Sequence, residues 1–240
     1  MKVTLINHTP NAAQLLVFTK ATRLTMAPAL LAEIAARPPE DIERELAYMA
    51  ETIPSSWEFV DYVFLVEGVS RAYTHQQVRT HAGSYAQQTM RVLDMGAYDY
   101  VYTDRNKADS VSMSVIDKTN RYIQASYNTL IQSGVAPEDA RGILPTNIAT
   151  NIVCKFNLRT FSELCKSRTG GRTQGEYQQV VNAMADAVLA VHPWAERFLF
   201  PAQRDAFDEI EAFANAQFGG DLLTKGKLLK IVDRMRKDAK

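Results

Sequence analysis

The sequence predicts a single α+β domain. Strand-like runs in it are few, short and far apart, and helical periodicity fills most of the chain between them. No repeat, low-complexity tract or linker divides it. With 240 residues, 46% of them hydrophobic and 22% charged, it can close one large or two small cores.

Val3–Asn7 (VTLIN) is a short apolar run that opens the fold as a strand. Helical patterns follow over 11–24, 27–36 and 40–53, and the pair Pro38–Pro39 starts the last of them. The stretch 59–69 (FVDYVFLVEGV) is rich in aromatic and β-branched residues, which marks a buried strand. Tyr98–Tyr102 predicts a further short strand. From Asp104 to about Gln132, Val111, Val115, Ile116, Tyr122, Ile123, Tyr127 and Ile131 recur at helical spacing, so one long helix is expected there, ended by a turn at 134–137. In 146–156 (TNIATNIVCKF), Ile148, Thr150, Ile152, Cys154 and Phe156 alternate on one face, the period of a strand. Helices are expected over 157–166 and 174–191. Two weaker ones, 207–218 and 222–237, form a helical tail over 202–240, whose basic end reads as a solvated face.

Formal net charge is +0, so no global field recruits nucleic acid or an anionic membrane, and neither partner is expected. Cys154 and Cys165 form no metal-ligand spacing and read as buried thiols of a reducing compartment. MKVTLINHTP has no leader-like apolar core, and no run approaches the roughly 20 apolar residues a membrane span needs. A soluble, cytoplasmic protein is expected. Dinucleotide-binding GxGxxG, P-loop and GxSxG patterns are absent, and the four histidines lack metal spacing, so no metal is expected.

Arginine remains. Ser70–Arg91 (SRAYTHQQVRTHAGSYAQQTMR) carries Arg71, Arg79 and Arg91 among glutamines and hydroxyls, with no acidic partner in the segment. Arg141, Arg159, Arg168 and Arg172 follow, the last beside Gly170 and Gly171, which permit close backbone approach. Guanidinium groups pair with phosphate oxygens and with carbonyl-rich heterocycle edges. Both clusters come directly after a strand, on a rigid support. Converging, they would hold a planar, phosphorylated ligand.

The order SRAxxHQxVR, SYxxQxxR, LPxxxxT, NLRxFxxLxxxR and QxEY, strongest over 51–179, resembles the flavin-dependent thymidylate synthases, the ThyX family. The family signature of Arg-His-Arg, seven residues, then Ser reads here Arg79-Thr80-His81, seven residues, then Thr89. The resemblance implies a mostly antiparallel central sheet flanked by helices, and a homotetramer whose sites are shared between subunits. It implies FAD as cofactor, methylenetetrahydrofolate and NADPH as co-substrates, and conversion of dUMP to dTMP. Gln76, Arg79, Gln87, Thr89, Arg91, Arg141 and Arg168 match nucleotide-binding positions. Ser55, Arg79, Thr80, His81, Asn157 and Arg159 match flavin-contacting ones. Arg168 would act on the pyrimidine during catalysis, and Thr89 would offer a hydroxyl to the phosphate. The sequence departs from the family at Thr80, His81, Gln87 and Phe59, where the family has His, Arg, Glu and His. Two alternatives therefore stay open: a pyrimidine nucleotide hydroxymethylase acting on dUMP or dCMP, and an inactive nucleotide-binding homologue.

Overall fold

The computed structural model describes residues 1–25, 27–93, 95–169, 173–200, 210, 213–214, 217–218 and 221–238. The chain forms two compact units, Met1–Phe200 and Pro201–Lys240. The second contains the helix Leu222–Asp238. Most of the expected helix 207–218 lies outside the described residues.

The first unit is built on a four-stranded antiparallel sheet in the order β1-β2-β4-β3, which makes the fold α+β as the sequence predicts. The strands are β1 (Lys2–His8), β2 (Asp61–Ser70), β3 (Ser84–Gln87) and β4 (Ala149–Asn157). Helices α1 (Ala12–Ala21), α2 (Leu30–Ala35) and α3 (Pro39–Thr52) fill the interval between β1 and β2. Helix α4 (Arg71–Gln77) leaves β2 directly, and α8 (Leu158–Arg168) leaves β4 in the same way.

Alternation decides which face of the sheet is dry. Tyr62, Phe64 and Val66 of β2 and Ile152, Cys154 and Phe156 of β4 are buried. They pack with Phe161 and Leu164 of α8 and with Val180, Val181, Met184 and Val188 of α9 (Gly175–Val191). A smaller cluster of Met95, Tyr127, Ala140 and Ile148 lies under α6 (Ser110–Gln132) and α7 (Pro137–Ala140).

Three expectations need correction. The long helix over 104–132 is two, α5 (Asp104–Ala108) and α6, because Asp109 is extended and its carboxylate caps the amides of Val111 and Ser112. Tyr98–Tyr102 is no strand: only Tyr100 bridges to Ile148. Backbone bonds from the Val101 amide to the Asn147 carbonyl and from the Ala149 amide to the Asp99 carbonyl flank that bridge, and side chains add to them, the Tyr100 hydroxyl donating to the Asn120 carbonyl and that of Tyr102 to Asp117. Strand β2 begins at Asp61, since Phe59 sits in the 3-10 turn Pro54–Phe59 and is exposed.

The sheet register also shifts between Val66 and Val69, where β2 carries one residue more than β4. Gly68 takes φ 64 there, a conformation that glycine tolerates and that a bulge of this kind requires. The bulge sets Val69 and Ser70 inward in succession, and so fixes the direction in which the arginine-rich segment starts.

Candidate functional site

Ser70 is the hinge of the site. Its amide and its hydroxyl donate to the Glu176 carboxylate at 2.7 and 2.5 Å, and its oxygen accepts the Tyr73 amide at 3.0 Å, capping α4. One residue thus ties the end of β2, the start of α4 and the first turn of α9. Helix α4 buries Tyr73, Thr74 and Gln77. The Gln76 amide donates to Gln174, and Gln87 donates to the Thr74 hydroxyl at 2.7 Å. Neutral amides and hydroxyls therefore fix one another's orientation along this wall without any carboxylate except Glu176.

After α4 the chain turns over 78–83. The Tyr85 hydroxyl reaches the carbonyls of Thr80 at 2.7 Å and Gln77 at 3.0 Å and pins the turn. Gly83 packs so tightly that a Cβ there would lie 2.5 Å from Phe156 Cε1 and 2.6 Å from the Tyr85 oxygen. The turn presents Arg79 and His81, both exposed, and no side-chain partner holds either among the described residues.

Two groups of arginines stand near this wall. Arg91 pairs with Glu138 at 3.4 Å, and Arg141 donates to the Glu138 carbonyl at 3.1 Å. Arg71 donates to the Gln88 carbonyl at 2.5 Å and feels the charge of Arg141. The Thr89 hydroxyl oxygen accepts the Arg91 amide at 3.1 Å, which leaves its own hydrogen free. So the loop leaving β3 and the short helix α7 do come together. Arg168, at the end of α8, lies with its guanidinium 5.1 Å from the centre of the Tyr177 ring, and its Nε is buried without a hydrogen-bond partner among the described residues. Burial raises the Tyr177 phenol pKa, and the Arg168 charge pulls it part of the way back. Gly170, Gly171 and Arg172 lie outside the described residues.

Ser55, Asn157 and Arg159 are elsewhere. Asn157 pairs with Asp61 at the start of β2, whereas Ser70 pairs with Ala149 at its end. A ten-residue strand is about 30 Å long, so these residues stand at the opposite end of the sheet from Ser70. Ser55 accepts from Arg23 at 3.0 Å, Asn157 caps α8 through Thr160, and Arg159 pairs with Glu58 at 2.7 Å and Glu163 at 3.5 Å. Arg79 and His81 lie between the two ends, because Ser84, just beyond their turn, pairs with Lys155. Their open cationic and imidazole donors suit an anion. The ion pairs of Arg159 are exposed and weak enough to exchange for such an anion.

Sequence reasoning did not single out Tyr177, Glu176 or Gln174 as individuals, although QxEY contains all three. What makes them part of the site is contact with Arg168, nine residues before Tyr177, and with Ser70 and Gln76, each roughly a hundred residues away. Neither cysteine competes as a nucleophile: burial pushes both thiols up to about 12.

An α+β domain gathers guanidinium groups, amides and hydroxyls at the exits of its strands, a donor set of the kind that anions accept from. The family model described as thymidylate synthase complementing protein matches residues 4–194, and the chain belongs to that family. It is 28% identical over 211 residues to a flavin-dependent thymidylate synthase of Clostridium tetani, an alignment covering 80% of this chain and 84% of that protein. Identity to the flavin-dependent thymidylate synthase of Pyrococcus horikoshii is 31% over 197 residues, 78% of this chain and 79% of the other. A third relative of that name, from Sulfurisphaera tokodaii, is 32% identical over 140 residues, and there the chain spans about half of the relative's length, 54%.

Proposed function

We propose that this chain is a flavin-dependent thymidylate synthase, carrying out the reductive methylation of dUMP to dTMP. In this reading methylenetetrahydrofolate supplies the carbon and NADPH the reducing equivalents. The observation that carries it is the family match over 4–194, which runs through both the nucleotide-side and the flavin-side residues.

Gln76, Gln87, Thr89, Arg91 and Arg141 would hold the nucleotide, its phosphate above all. Arg168 would face the pyrimidine. Uracil C5 is a poor nucleophile, so bond formation there needs negative charge on the ring's carbonyl oxygens to be stabilised. A guanidinium held over Tyr177 with an unpartnered Nε can do this without reorganising. Ser55, Arg79, Thr80, His81, Asn157 and Arg159 would hold FAD. When bound, the flavin supplies the hydride chemistry, and the protein's task is to orient and tune it.

Ser55, Asn157 and Arg159 stand at the opposite end of the sheet from Ser70, with Arg79 and His81 between, so a complete site would take flavin residues of one copy against nucleotide residues of another. A homotetramer supplies that. The outer face of α6 offers an apolar surface for it, with Val111, Val115 and Tyr122 exposed. We assign the activity to a single domain, with 202–240 as a helical tail, and the two free thiols suit the cytoplasm. No helix among the described residues is long and apolar enough to cross a membrane.

The test is the product. The purified protein with FAD, NADPH and methylenetetrahydrofolate should convert dUMP into a nucleotide heavier by one methylene unit, as read by mass spectrometry. A product carrying hydroxymethyl, or none at all, contradicts the proposal.

A further inference from the structure

The segment 101–106 separates two cavities, and none of the residues assigned above to dUMP or FAD lines either of them. The first, about 360 Å³, lies between this segment, α6 and the turn 145–147. Gln174, which takes the Gln76 amide, forms part of its wall, so the cavity adjoins the nucleotide side of the site. The second, about 510 Å³, lies between α5, the bulge at Gly68 and the first turn of α9. Tyr102, Thr103 and Glu176 line both.

The two differ in chemistry. The first combines Val101, Ile116 and Pro145 with the side-chain amides of Asn106 and Asn147. The Asn106 oxygen accepts from the Thr103 hydroxyl, which leaves its amide hydrogens free, and Asn147 has no side-chain hydrogen bond among the described residues. Such amides can pair with both the donor and the acceptor edge of adenine. Tyr102 is held in place by its hydroxyl, which donates to Asp117 at 2.5 Å, and its ring offers a flat face beside them. The second cavity carries the cations. Arg105 and Lys107 of α5 are exposed, and neither has an ion pair or side-chain hydrogen bond among the described residues. The carboxylates beside them are already engaged by neutral donors: Glu176 by Ser70 at both oxygens, and Asp104 by the Gln179 amide at 2.9 Å. A guanidinium and an ammonium left open at one cavity suit a phosphate monoester.

We propose that these adjoining cavities bind the adenosine bisphosphate end of the nicotinamide dinucleotide reductant, the adenine against Asn106, Asn147 and Ile116 and the 2′-phosphate on Arg105 and Lys107. This site rests on the function given above, and gives a place to a co-substrate for which that function names no residue. It also predicts a preference for NADPH over NADH, since only NADPH carries the 2′-phosphate.

The experiment measures calorimetric affinities of wild-type protein and of Arg105→Ala/Lys107→Ala for adenosine 2′,5′-bisphosphate, 5′-AMP, FAD and dUMP, with thermal melts to verify folding. The double variant should weaken the bisphosphate about 10- to 100-fold, the loss of charged hydrogen bonds to one phosphate, and leave the other three ligands within about twofold. Asn147→Leu should instead weaken the bisphosphate and 5′-AMP alike. In turnover, KM for NADPH should rise in the double variant by the same factor as the bisphosphate affinity falls. Wild-type protein that does not bind the bisphosphate, a folded double variant that binds it as wild type does, or equal losses for all four ligands would each overturn the site. A double variant that loses FAD alone would also overturn it, by giving the two cations to the flavin. Wild-type protein that forms dTMP from dUMP, while the double variant keeps its KM for NADPH, removes this site and leaves the function standing. Selective bisphosphate binding by a protein that forms no dTMP keeps the site and removes the function.

Discussion

Replacing Arg168 by alanine separates binding from folding, because no ion pair holds its guanidinium among the described residues. Its guanidinium makes one cation–π contact, 5.1 Å from the Tyr177 ring centre, worth about 0.5–1 kcal/mol at a half-exposed site. Removing it also relieves a buried Nε that has no partner among the described residues, which offsets part of that loss. The net cost to folding should stay within about 1 kcal/mol, a fall in melting temperature of about 2–4 °C for a chain of this size. The effect on substrate should be far larger. One charged donor group on the pyrimidine contributes about 1.5–3 kcal/mol to binding, so the Kd for dUMP should rise about 10- to 100-fold. Its field on developing charge should cost a further factor of about 10² in turnover. Differential scanning fluorimetry, dUMP titration and initial rates read the three quantities. A variant that unfolds, or one that stays folded with unchanged dUMP affinity and rate, would refute the reasoning.

Three further outcomes follow from the geometry. Glu176→Gln replaces two charge-assisted bonds to Ser70 by weaker neutral ones, so stability should fall by about 1–3 kcal/mol and kcat/KM with it; denaturant melts showing no change would disprove that anchor. Gly83→Ala puts a Cβ 2.5 Å from Phe156 Cε1, which should cost about 1–3 kcal/mol and weaken FAD binding through the displaced Arg79–His81 turn, both measurable by melts and flavin titration. His192, buried against the Tyr62 hydroxyl at 3.1 Å, has its pKa pushed down to about 4 by burial and then by His8. Unfolding restores a value near 6.5, so the unfolded chain binds the extra proton first. The stability from this residue is complete above pH 6.5 and is lost as pH falls towards 4, by about 1–2 kcal/mol after allowance for partial solvation. Melts of His192→Gln should be flatter than wild type across that window.

The sequence made some of this visible and hid the rest for definite reasons. Strand β4 was legible because Ile148, Thr150, Ile152, Cys154 and Phe156 alternate, and all five are buried. The edge strand β3 was not, since SYAQ is four residues long, mostly polar, and has no apolar face to betray its period. The break before α6 depended on one carboxylate choosing two amides over helix continuation. The spacing on α6 made the helix legible, but spacing alone does not say which side is dry, and Val111, Val115 and Tyr122 are exposed. Site residues were legible as a list of arginines and amides. Their grouping was not, because it is set by contacts such as Ser70–Glu176 and Gln76–Gln174, each spanning roughly a hundred residues. That Ser55, Asn157 and Arg159 stand a strand's length from Ser70 is likewise a property of the register alone.

The most direct measurement is the visible absorption of the FAD-loaded protein while dUMP is added. A retained flavin whose band shifts and saturates as dUMP binds is the predicted result, since under the proposed function pyrimidine and flavin would share one cleft across assembled copies. A protein that holds no FAD, or whose flavin band ignores dUMP that is demonstrably bound, contradicts the account.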